Sequence, residues 1–91
     1  MHRYLVQRSF PDGLRIPTTS DGADACAVVV ANNASEGVTW VHSYVSDDHR
    51  KTYCIYDGPS LESVRTAARK SGLTIDHIEP VTVLDPYFYR A

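Results

Sequence analysis

Two side chains with metal-binding chemistry, His42 and Cys54, bracket the polar tetrapeptide Asp47-Asp48-His49-Arg50. An imidazole and a thiolate suit zinc, copper or nickel. Two donors leave a coordination sphere incomplete, and the same residues also read as a hydrogen-bonded, half-buried histidine near a buried thiol. His77 and Glu79 are spaced two apart, so on a strand they share a face. In a symmetric dimer such a pair would complete a sphere that one subunit leaves unfinished, with solvent-exposed strand polarity as the plainer reading. Asp47 and His49 add oxygen and nitrogen donors, although hairpin turns are ordinarily built of such residues. His42, Cys54 and Glu79 are therefore the principal candidate ligands, and His49, His77 and Asp47 the secondary ones.

No catalytic constellation emerges from the spacing. A nucleophile with its base and orienter, or two carboxylates in contrasting environments, cannot be assembled. Ser43 follows His42, but consecutive strand residues point to opposite faces. Cys26 lies on a stripe of small residues, where a free thiol acts as a compact hydrophobe.

Six elements must position these groups. Residues 2–10 alternate, with Tyr4, Val6, Arg8 and Phe10 on one side and Arg3, Leu5, Gln7 and Ser9 on the other, which predicts a strand stopped at Pro11-Asp12-Gly13. From Ala23 to about Ser35, the recurrence of Ala23, Cys26, Ala27, Val30 and Ala34 predicts a helix, with Thr18, Thr19 or Ser20 as cap and Gly37 as stop. Residues 38–46 and 51–57 are rich in Val, Tyr, Trp and Thr and predict a hairpin. Ser60 caps a second helix with Leu61, Val64 and Ala68 as its inner stripe, ended by Gly72. Residues 75–84 give a last strand, and Pro80 within it points to an edge or a bulge.

Strand-helix-strand-strand-helix-strand is the split βαβ plan. The expected fold is α+β, ferredoxin-like βαββαβ, a four-stranded antiparallel sheet with two helices on one face, in a single domain spanning residues 1–91. A two-residue hairpin turn at Asp48-His49 would set His42 beside Ile55 and leave Cys54 on the opposite face with Ser43. A three-residue loop, Asp47 to His49, would set His42 across from Cys54. The second register is expected, because it gathers Val41, Val45, Tyr53 and Ile55 under the helices and Trp40, His42, Tyr44, Cys54 and Tyr56 on the open face. So large an amphipathic face implies a dimer interface or a ligand chamber, with Trp40, Tyr44 and Tyr56 as its lining.

The 91 residues, 43% hydrophobic and 22% charged, describe an ordinary globular chain. A formal net charge of -2 and a pI near 6.0 supply no basic field, so neither nucleic acid nor a membrane is expected as a partner. The apolar run Ala25–Ala31 is far too short to span a bilayer, and the first residues alternate before a signal-peptide core can form. Two cysteines without an export signal read as reduced thiols, and a cytoplasmic location is expected.

Trp40-Val41-His42-Ser43-Tyr44-Val45-Ser46-Asp47-Asp48, then Lys51-Thr52-Tyr53-Cys54-Ile55-Tyr56, resembles a family of small bacterial nickel-binding proteins whose domain is otherwise catalogued as of unknown function. The resemblance runs on through residues 61–72 to Ile78-Glu79-Pro80-Val81 and Leu84-Asp85-Pro86, and is weakest across residues 13–35. It implies a ferredoxin-like fold, a homodimer, nickel as the bound ion and no established reaction. Many relatives look as though they carry a histidine where this chain has Ala67, which, if that histidine is a ligand, implies poor nickel binding here or none. Three readings follow: a dimeric, non-catalytic nickel-type metal-binding protein for storage, buffering or sensing; a metal-free dimeric ligand-binding or interaction module; and a dimeric α+β barrel enzyme acting on a small organic molecule, with His42 or Tyr44 moving a proton.

Overall fold

Alternation along the N-terminal segment becomes β1 (His2–Ser9), which buries Tyr4, Val6 and Arg8 and leaves Arg3, Leu5 and Gln7 half-exposed on the other side. The computed structural model describes residues 2–15 and 20–87. After β1 come α1 (Ser20–Ser35), β2 (Thr39–Val45), β3 (Lys51–Gly58), α2 (Leu61–Lys70) and β4 (His77–Val81). The strands form one antiparallel sheet in the order β2-β3-β1-β4, the ferredoxin-like arrangement expected from the element order. Tyr4, Val6, Cys54 and Tyr56 meet Val64 and Ala67 of α2, with Val38 closing the core beside them.

Each helix ends in the same way. Gly37 and Gly72 sit at φ 69° and 68°, a left-handed conformation that a side chain would strain. Their amides return to Ala34 and Arg69, and the following amides, of Val38 and Leu73, return to Asn33 and Ala68 at 2.9 Å. Four otherwise orphaned carbonyls are thereby satisfied. Ser60 caps α2 as expected, accepting from the Ser63 amide at 3.1 Å. Of the caps expected for the first helix, Thr18 and Thr19 lie outside the described residues, and Ser20 is the first helical residue.

The inner line of α1 differs from the expected stripe. Gly22 and Asn33 are buried and Cys26 and Val29 half-buried, whereas Ala23, Ala27, Val30 and Ala34 face outward. Alanine and valine occur all round this helix, so periodicity singles out no face; contact with β2 and α2 selects the Gly22-Cys26-Val29-Asn33 line instead.

The hairpin register is the larger correction. The Ser46 amide bonds the Lys51 carbonyl at 2.9 Å and the His49 amide bonds the Ser46 carbonyl at 2.8 Å, so residues 47–50 form the turn and His49 takes φ 59°. That closure pairs Ser43 with Cys54 and His42 with Ile55. His42 and Cys54 therefore lie on opposite faces, because a one-residue change of register turns every side chain over. A bulge at Val41 then restores the other phase and pairs Trp40 with Tyr56. Trp40, Cys54 and Tyr56 thus do share a face, but it is the one under the helices, while Tyr53 and Ile55 lie on the open face. Pro80 falls on the edge strand β4, where a missing amide hydrogen costs no internal ladder bond.

Across the open face Arg3 and Asp57 are directly paired residues of β1 and β3 and form a two-pronged ion pair, Nε to Oδ1 at 2.7 Å and Nη2 to Oδ2 at 2.9 Å. The Arg3 hydrogen bond holds the Asp57 carboxyl below its ordinary range. A depressed folded value stabilises above the unfolded pKa and is lost as pH falls through the folded one. Asp57→Asn is expected to cost about 0.5–1 kcal/mol at neutral pH, with the gap to wild type closing below about pH 4 in urea-unfolding series.

Candidate functional site

The open face of the sheet carries three rows of side chains set by strand pairing. His42, Ile55, Leu5 and Glu79 form one row across β2, β3, β1 and β4; Tyr44, Tyr53, Gln7 and His77 form the next; Thr39, Asp57, Arg3 and Val81 form the third. The centre is apolar and half-exposed, with Leu5, Tyr53 and Ile55, and the chemistry sits at the two margins. On the β2 margin the His42 and Tyr44 rings meet edge to face at 5.1 Å, and Tyr44 is 63% exposed. On the β4 margin His77 Nε2 and Glu79 Oε1 lie 3.7 Å apart, both exposed.

His42 and Glu79 therefore share a face and a row but are three strand spacings apart, roughly 14 Å at ~4.8 Å per strand. Among the described residues no three His, Cys, Asp or Glu side chains gather where an ion could sit between them. His77 and Glu79 are brought together as expected; His42 joins them only on the scale of the whole face. Cys54 is 6% exposed, beneath the helices, its thiol donating to Thr52 Oγ1 at 3.6 Å. Asp47 and His49 lie in the hairpin turn. There Asp48 accepts from Ser46 Oγ and the Arg50 amide at 2.7 and 3.0 Å, which lowers its pKa.

A protein family described as nickel responsive protein, SCO4226-like, matches residues 4–81. The chain belongs to the SCO4226-like family. No curated protein matches the chain. The crystal structure of SCO4226 from Streptomyces coelicolor A3(2) superposes with a TM-score of 0.71 at 20% identity, covering 91% of this chain and 99% of that one. A likeness at that identity establishes the shared fold, and the family name associates it with nickel.

Two features of this SCO4226-like chain bear on its sites. Ala67, where the resemblance suggested that relatives carry histidine, is 1% exposed and packs in the core between α2 and the sheet. Its methyl thus sits behind the sheet, away from the open-face rows. Sequence reasoning also missed a pocket of about 250 Å³ between α1 and the helix-facing side of the sheet, lined among others by Arg8, Cys26, Val29, Trp40, Cys54 and Tyr56. The alternation of β1 did place Arg8 on the same side as Tyr4 and Val6, which was the available signal.

Tyr56 links that pocket to the core. Its hydroxyl accepts from Arg8 Nη1 at 3.0 Å, and burial pushes its phenol above the ordinary value against the opposing pull of Arg8. Tyr56→Phe leaves a buried donor without this acceptor and is expected to cost about 1–3 kcal/mol by urea denaturation. The sign at alkaline pH is also fixed. A raised folded pKa contributes stability below the unfolded value of about 10 that is lost as pH rises through the folded one, so Tyr56→Phe should flatten the alkaline limb of the stability profile.

Proposed function

We propose that the protein is a homodimeric, non-catalytic nickel-binding protein of the cytoplasm, serving storage, buffering or sensing of the ion. The observation that carries this reading is the layout of the open face: an apolar centre of Leu5, Tyr53 and Ile55, with His42 on one margin and the His77–Glu79 pair on the other. A two-fold axis lying between two such faces and parallel to the strands would stack the β2 margin of one copy over the β4 margin of its partner. Imidazole nitrogens and a carboxylate from both chains then form a borderline ligand set of the kind nickel accepts. His42, His77 and Glu79 are the proposed ligands. Cys54 is left out because it lies behind the sheet. The nickel responsiveness in the family's name supports the choice of ion.

Burial of that apolar centre supplies the association energy. A chain of 91 residues has a modest core of its own, and a second sheet covering Leu5, Tyr44, Tyr53 and Ile55 adds to it.

The test uses untagged protein under reducing conditions. Light scattering is expected to give twice the 10.1 kDa chain mass, and calorimetric titration with nickel to give saturable heat. His42→Ala and Glu79→Ala should each weaken nickel binding by at least the roughly tenfold that loss of an outer-shell partner costs. Cys54→Ser should leave nickel affinity unchanged. A monomer without binding heat, or a nickel affinity indifferent to both His42→Ala and Glu79→Ala, would sink the proposal.

A further inference from the structure

Arg8 is only 3% exposed, yet no carboxylate among the described residues pairs with it. Its Nε donates to the Thr74 carbonyl at 2.9 Å and its Nη1 to the Tyr56 hydroxyl at 3.0 Å. A guanidinium has five N–H donors, and Nη2 makes no hydrogen bond to the described residues. The face of Tyr56, 5.6 Å from Arg8 Cζ, offers partial compensation. A guanidinium this little exposed, with a carbonyl, a phenol and a ring face as its partners, is costly to keep charged, and Nη2 is the donor left to meet an incoming group.

Arg8 lines the pocket beneath α1, whose other walls include Phe10, Val29, Trp40, Cys54 and Leu73. At about 250 Å³ the space is just below the ~300–1,000 Å³ of drug-sized sites, so it suits a small molecule. An apolar wall with one strong, directional, positively charged group describes a site in which the wall supplies affinity and the charge supplies orientation.

We propose that this pocket binds a small monocarboxylic acid with an apolar body, its carboxylate on Arg8 and its hydrocarbon or aromatic portion between Val29 of α1 and the indole of Trp40. The carboxylate provides a counter-charge that the described residues do not and accepts from Nη2. The site lies on the opposite side of the sheet from the His42 and Glu79 rows and is independent of nickel.

Trp40 is the single tryptophan of the chain, so its fluorescence reports on the pocket. The full chain is titrated with phenylacetate and octanoate, and in parallel with phenylacetamide and octanamide. Both acids are expected to change Trp40 emission saturably, and each amide to bind about ten- to a hundredfold more weakly, the value of a charge-assisted bond. Arg8→Gln should abolish the preference for acid over amide. Should Arg8→Gln not fold, Ala25→Trp, on the exposed rim of the same pocket, is expected to block both acids while leaving α1 helical by circular dichroism. Amides binding as well as the acids, binding unaffected by Ala25→Trp, or no saturable change with any probe would each overturn the proposal.

Discussion

The bond from the Ser46 amide to the Lys51 carbonyl decides more of this molecule than any other single contact. It closes the hairpin with residues 47–50 outside the ladder, and from that closure follow the pairs Ser43–Cys54 and His42–Ile55. Because β3 is held by its pairing with β1, one residue of slip would turn β2 over instead, sending His42 and Tyr44 under the helices and Ser43 and Val45 to the open face. The core opposes that exchange, since it would set the His42 and Tyr44 rings against the buried Cys54 and Thr52 in place of Ser43 and Val45. Turn and core thus enforce the same register, and the division of chemistry between the two faces is its result.

That division separates two sets of chemical groups. On the open side are imidazoles and a carboxylate at the margins of an apolar field; on the helix side are a thiol, a phenol, an indole and a buried guanidinium around a pocket. The bulge at Val41 makes the separation possible within β2 itself. Trp40 and His42 would point the same way along an unbroken strand, but the extra residue turns Trp40 inward to pair with Tyr56 and leaves His42 and Tyr44 outward. A single strand thereby serves both faces with its aromatic residues.

Much of the architecture was legible in the residues. Alternation gave β1 and both its faces, Gly37 and Gly72 marked the helix ends, Ser60 marked a cap, and Pro80 marked an edge. What escaped was whatever depends on pairing rather than on local pattern. The register turned on a four-residue turn with His49 in the left-handed region, a conformation histidine adopts without announcing it in sequence. The bulge leaves no trace in hydrophobic alternation. The inner line of α1 was obscured because alanine and valine surround the helix. Of the candidate ligands, spacing alone was enough to join His77 with Glu79, whereas the proposed meeting of His42 with Cys54 required a register that the fold does not use.

The two outer strands share a property with consequences for assembly. β2 carries the bulge and β4 carries Pro80, so the open edge on one side is kinked and on the other lacks an amide donor. Sheet extension, in which copies add strand to strand without limit, is disfavoured at both ends. The proposed self-association would then be left to the broad face, and contact through one face with two-fold symmetry would be used up once two copies had met. Were two copies to meet as proposed, a chain whose exposed aromatic sheet would otherwise favour fibre growth would in this way be confined to a finite particle.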